Sequence, residues 1–138
     1  AGRHEDAKKA LEAAAEWSRL PAFRYWLGSL RAWLDRRPDE MVAGLVDLGP
    51  IRIREDPEAM FQEGWLFCDL GDHERGMASL VRAVGKGYAA APTLAQAPHF
   101  DALRGRADFQ DLLARAEAAR DRALTAFREA GGERLLGR

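Results

Sequence analysis

One cysteine, Cys68, stands in 138 residues, so the chain can close no intrachain disulfide, form no CxxC redox pair and build no cysteine-based zinc site. That composition suits a reducing compartment, and a cytoplasmic location is expected. Charge of one sign is lacking too. With 21 basic and 22 acidic residues the formal charge is −1, which leaves no field to gather nucleic acid or an anionic membrane, and neither is expected as a partner. No apolar run approaches the roughly 18 residues of a membrane span, and no stretch reads as a charged-then-apolar leader. Strand-like alternation is confined to "IRIR" at Ile51–Arg54. Four residues without a matching partner make no sheet, so they read as an extended linker. Lysine is confined to Lys8, Lys9 and Lys86, which with the abundant alanine points to a GC-rich bacterial genome.

What the chain does have is a repeated phrase. "AGRHEDAKKALEAAA" at the start returns as "LGDHERGMASLVRAV" from Leu70, aligning Gly2 with Gly71, His4 with His73, Glu5 with Glu74, Leu11 with Leu80 and Ala14 with Ala83. The offset is twice the ~34-residue period of a common helix-turn-helix repeat. A middle copy is expected near "LDRRPDEMVAGLVDL" at Leu34. Because the sequence starts partway through this phrase, it is expected to be a fragment of a longer protein. Its first helix would then have lost a partner for Ala7, Leu11 and Ala14, which favours weak homodimer formation through residues 3–17.

Helix signals run from end to end. The alanine-rich stretch from His4 to Trp17 favours helix intrinsically. Pro21 suits a first helical turn, and Phe23, Trp26, Leu27, Leu30, Trp33 and Leu34 follow at three- and four-residue spacing. Pro38 opens a helix carrying Met41, Val42, Leu45 and Leu48, stopped by Gly49 and Pro50. Asp56 caps a helix that buries Met60, Phe61, Gly64, Phe67 and Cys68 until Gly71 breaks it. Asp72 caps the next, with Met77, Leu80, Val81 and Val84 on its apolar face, and "GKG" ends it. A long helix is predicted from Ala107 to Ala130, with a stripe of Phe109, Leu112, Leu113, Ala116, Ala123, Leu124 and Phe127. The tail after Gly132 reads as disordered.

Between Asp56 and Val84 the chain resembles a tetratricopeptide repeat (TPR). Gly64, Phe67, Gly71, Gly76, Leu80 and Ala83 fall on that family's small and apolar positions. Residues 21–48 match with Leu27, Gly28, Leu45 and Leu48 in place if one residue is inserted near Pro38. Met41 then falls where a small residue belongs, and Gly44 offers itself as the close contact instead. Residues 1–17 match the second half of a repeat. The stretch "PTLAQAPHFDALRGRADFQDLL" is similar to the segment that follows the last repeat in bacterial multidomain proteins carrying a kinase, a nucleotide cyclase or a winged-helix regulator. The resemblance implies an all-α solenoid: repeats at 21–48 and 57–84, then C-terminal capping helices over 92–130, where Phe100, Leu103 and Phe109 cover the last pair. It implies an inner face formed by Ala22, Tyr25, Ser29, Ala32 and Trp33 in one pair and Glu58, Phe61, Trp65, Cys68 and Asp69 in the next. Tyr25, Trp33, Phe61 and Trp65 would line an aromatic groove for a partner protein or peptide, or for another domain of the parent chain. The alternative is that the C-terminal segment covers these rings as ordinary core.

Catalytic chemistry finds little support. His4 and His73 recur at one repeat position, which explains them by that position rather than by a shared metal or base. His99 stands alone in "PHFD". The run "CDLGDHE" places Cys68 near His73, as in a Cys–His nucleophile pair, but helix direction should point them apart. "GKG" follows no strand and precedes no GK[ST], so it is no phosphate loop. The expected function is a non-catalytic interaction or scaffold module without cofactor or metal. Two rivals stand beside it: a small-molecule sensor controlling an attached output domain, and an enzyme using Cys68 and His73.

Overall fold

The structure, a computed structural model, describes residues 2–17, 20–46 and 55–135. Among these residues all regular structure is helical, and no helix is long and apolar enough to cross a membrane. The helices are α1 (Gly2–Trp17), α2 (Pro21–Leu34), α3 (Pro38–Val46), α4 (Pro57–Leu70), α5 (His73–Gly85), α6 (Ala91–Gln96), a 3-10 helix (Pro98–Leu103), α7 (Ala107–Glu129) and α8 (Gly132–Leu135). Leu48, the Gly49–Pro50 stop and Ile51–Arg54 lie outside the described residues.

Local chemistry accounts for most helix ends. Pro21 takes the first turn of α2, where its missing N–H costs nothing. The Asp56 carboxylate accepts from the N–H groups of Glu58 and Ala59 at 2.8 and 3.0 Å, and Asp72 accepts from Arg75 at 3.2 Å, each satisfying donors that a first turn leaves unpaired. Three helices stop in the same way. The N–H groups of Arg36 and Arg37 return to Trp33 and Ala32, those of Gly71 and Asp72 to Cys68 and Phe67, and those of Gly87 and Tyr88 to Val84 and Ala83. These paired back-bonds form a Schellman motif, whose left-handed residue is Arg36 (φ 57°), Gly71 (φ 85°) or Gly87 (φ 97°).

Residues 1–59 and 60–138 form two compact units. In the first, α1 packs on α2, and α2 on α3. The α1–α2 seam is polar. His4 Nε2 donates to the Leu34 carbonyl at 2.9 Å, Lys8 meets Asp35 at 2.7 Å, and Arg31 meets Glu12 at 2.5 Å. His4, Lys8 and Glu12 are spaced four apart, so one face of α1 runs antiparallel along the end of α2. Ala7, Leu11 and Ala14 are only half-buried. Asp35 also takes Arg31 and Arg37 at 3.1 and 2.9 Å. Lys8 foremost, then Arg31 and Arg37, hold its carboxyl well below the usual carboxylate range against the opposing effect of desolvation.

The α2–α3 crossing differs from the sequence expectation at one residue. Gly28 is exposed, and a Cβ added there would meet open space. The neighbouring Ser29 is buried instead, its hydroxyl donating to the Tyr25 carbonyl at 3.1 Å. Gly44 is the point of closest approach: an added Cβ would strike the Ser29 hydroxyl and lie 3.2 Å from the Tyr25 carbonyl oxygen. Met41 is completely buried. Its bulk holds the backbones apart, and the crossing moves one turn along α3 to Gly44. Phe23, expected in the apolar stripe, is exposed in the first turn of α2 although it shares the face of Leu27 and Leu34, because that end of the helix is left uncovered.

In the second unit, α4 and α5 cross at two glycines. A Cβ on Gly64 would sit 2.8 Å from Leu80 and 3.0 Å from the Gly76 carbonyl oxygen, and one on Gly76 would strike Cys68 Sγ and lie 3.1 Å from the Gly64 carbonyl oxygen. The buried Ser79 hydroxyl donates across the pair to Glu63 at 2.9 Å. The apolar side of this pair forms one core with Leu94, Phe100, Leu103, Phe109, Leu112 and Ala116, so Phe100, Leu103 and Phe109 do cover it. Val81, expected in that face, is exposed, one position off the Met77–Leu80–Val84 line. The long-helix stripe divides: Phe109, Leu112 and Ala116 are buried, whereas Ala123 is exposed and Phe127 is 39% exposed. Of the tail expected to be disordered, the part through Leu135 is helical, with Gly132 seated against the Phe127 ring and Arg128 meeting Glu133 at 3.0 Å, and residues 136–138 lie outside the described residues.

Two predictions follow from these contacts. Gly28→Ala should stabilise by about 0.5–1 kcal/mol through helix propensity alone, whereas Gly76→Leu should cost about 1–3 kcal/mol by overpacking the crossing. Urea melts of both variants check the opposite signs, and equal destabilisation would refute the crossing assignment. Asp35→Asn should melt below the parent protein at neutral pH. Because the folded-state pKa of Asp35 is depressed, its stabilisation is present above the ordinary carboxylate value and is lost only as pH falls through the lower folded value. The gap between the two melting curves should therefore persist to about pH 4 and close under more acidic conditions.

Candidate functional site

The four aromatic residues expected to line a groove fall in two places. Tyr25 and Trp33 lie on α2 in the first unit, where Tyr25 is 43% exposed and Trp33 half-buried. Phe61 and Trp65 lie on α4 in the second unit. There the C-terminal segment covers them. Phe61 is 8% exposed, with the Tyr88 ring at 5.2 Å and Phe100 edge-on at 6.1 Å. This ring is core and presents no surface to a partner, which corrects the groove expectation at Phe61. Trp65 is half-buried, its ring meeting His99 edge-on at 4.8 Å.

His99 owes its position to the 3-10 helix. Arg104 ties that turn together, reaching Asp101 at 2.6 Å and the Ala97 carbonyl at 3.0 Å. This places His99 over α4, where its Nδ1 lies 2.9 Å from Asp69 Oδ1. A carboxylate only accepts, so Nδ1 carries the proton, and Nε2 is left for another donor or acceptor. The sequence presented His99 and Asp69 as unrelated, thirty residues apart. No local spacing signals such a pair.

The Cys68 thiol faces α5 at Gly76 and is buried. Burial pushes its pKa up to about 11, with Arg106 lowering it and Asp72 raising it by smaller amounts. An activated cysteine shows the opposite shift. Arg106, just before α7, spans Asp108 at 2.8 Å and Glu74 at 2.7 Å, so its guanidinium is committed to joining α7 to the start of α5. Among the described residues no group of three or more His, Cys, Asp or Glu side chains is placed to hold a metal ion.

A shallow cavity of about 280 Å³ opens elsewhere in the second unit, lined by Val84, Gly85, Arg115, Ala118, Ala119 and Arg122. The sequence reading missed it, because its walls come from α5 and α7, some thirty residues apart.

Set against known proteins, the chain matches no protein-family model, no curated protein and no solved structure.

Proposed function

We propose that this chain is a non-catalytic protein-interaction module built from TPR-like helix pairs stacked as a solenoid, serving a larger bacterial signalling protein. The observation that carries the reading is the recurrence of one helix-pair turn. From Arg36 to Gly71, and from Pro38 to His73, the left-handed residue and the start of the second helix recur at nearly the ~34-residue period of such repeats. Small residues at both crossings, Ser29 with Gly44 and Gly64 with Gly76, support it. So does the apolar cover that α6, the 3-10 helix and α7 lay over the α4–α5 pair, in the manner of a repeat cap.

Of the four aromatics, Tyr25 is the one left to offer a substantially exposed ring, with Trp33 and Trp65 partly covered. Tyrosine at a protein interface supplies apolar area together with a polar tip, and anchors of this kind are worth ~2 kcal/mol or more. The test compares proteins captured by the parent chain with those captured by Tyr25→Ala, alongside a thermal-shift screen of metabolites. A partner lost on Tyr25→Ala, with circular dichroism unchanged, supports the reading. A metabolite that raises the melting temperature by several degrees, with no protein partner, favours the sensor instead.

Weak self-association through residues 3–17 belongs to the same reading. Trp17 is 88% exposed and Leu11 only half-buried, so apolar area on α1 is available to a second copy. Light scattering across a concentration series should show mass rising with concentration for the parent chain and constant for Trp17→Asp. Rising mass in both would place the contact elsewhere.

A further inference from the structure

We propose that the cleft between the C-terminal turn of α5 and the middle of α7 docks an acidic amphipathic helix of a protein partner. This face is separate from the aromatic residues, and the inference stands whether or not the helix pairs belong to a TPR array.

Three features of the cleft select that occupant. Its charged walls are Arg115 and Arg122, both exposed, and neither makes an ion pair with any described residue. Elsewhere in this unit Arg75, Arg104, Arg106 and Arg128 are each engaged by a carboxylate. Arg115 and Arg122 stand seven residues, about 10 Å or two helical turns, apart along the axis of α7, so carboxylates seven residues apart on one face of a second helix match their spacing. In an extended peptide no same-face pair has that spacing: every second residue repeats at about 7 Å and every fourth at about 13 Å.

The floor between the arginines is apolar and low. Val84, Gly85, Ala118 and Ala119 carry little or no side chain beyond Cβ apart from Val84, so a second helix backbone can come close. The volume of about 280 Å³ falls just below the roughly 300–1,000 Å³ range of small-molecule pockets. It suits one or two apolar side chains standing between the acidic residues.

The negative pole of α5 is also dealt with. The carbonyls of Arg82, Ala83 and Val84 already accept from the N–H groups of Lys86, Gly87 and Tyr88 at 3.0–3.2 Å. An approaching carboxylate therefore meets the two guanidiniums without a row of unpaired carbonyl oxygens beside them. On α7 the same flank carries Asp111 one turn before Arg115 and Glu129 two turns after Arg122. Those acidic residues bound the positive stretch at two turns.

The probe is a fluorescein-labelled, alanine-rich helical peptide with two glutamates seven residues apart and leucines between them, titrated into the full chain and followed by polarisation. Binding should weaken as salt rises. Arg115→Gln with Arg122→Gln should weaken it about tenfold, and a peptide with lysines in place of the glutamates should not bind. Ala119→Trp, which fills the cleft without changing its charge, should abolish binding, and amide shifts on peptide addition should centre on Gly85 and Ala118. Circular dichroism confirms that each variant is folded. Failure of the glutamate peptide to bind, binding unchanged in the double glutamine variant or in Ala119→Trp, or equal binding of the lysine peptide would overturn the proposal. So would tighter binding of a single-stranded oligothymidylate through the same two arginines.

Discussion

The approach of two backbones at Gly64 and Gly76 is the constraint on which the second unit depends. With a Cβ on either glycine pressed against the other's carbonyl oxygen, α4 and α5 lie close enough for Leu80 and Phe61 to enter one apolar face. That face is too large to leave in water, and burying it drives the C-terminal segment onto the pair. Phe100, Leu103, Phe109 and Leu112 complete the cover at 1% exposure or less. The first unit shows the same rule with a different outcome. Met41 occupies the corresponding place on α3, and the helices touch a turn further on, where Gly44 admits Ser29.

Charge does different work in the two units. The polar contacts that tie α1 to the end of α2 centre on Asp35, which gathers Lys8, Arg31 and Arg37. Such a seam gives direction and register more than affinity, because each charge gives up water to form it. Arg106 in the second unit acts as a fork, with two nitrogens on Asp108 and a third on Glu74. Lysine cannot reproduce that planar geometry, one physical use for a composition with so little lysine.

These arrangements bear directly on function. The C-terminal segment buries the Phe61 ring and partly covers Trp65, while Cys68 is turned into a helix crossing, where burial raises its thiol pKa. The unpaired chemistry moves to other places: the Tyr25 ring on α2, the Nε2 of His99 beside Trp65, and the guanidiniums of Arg115 and Arg122 over a small apolar cleft. Each of these groups suits recognition by contact or charge rather than catalysis, since Cys68 is the one cysteine in the chain and its thiol is buried with a raised pKa.

Where helices begin and end was legible in the chain itself, because those events are local. Pro21, Asp56, Asp72, Gly71 and the "GKG" stop act within a few residues of where they stand, and the helix edges fall beside them. The pairing of α2 with α3 and of α4 with α5 was legible too, since turns of three and two residues leave antiparallel packing as the compact choice. Exposure was another matter. Gly28 or Ser29 at the crossing and Val81 in water depend on a rotation of about one residue around a helix, which periodicity does not resolve, while Phe61 is core because the C-terminal segment covers it. The Asp69–His99 contact and the Val84–Arg115 cleft join residues some thirty positions apart. Only the path of the C-terminal segment over α4 and α5 decided them, because that path is set by how much apolar area remained to be covered.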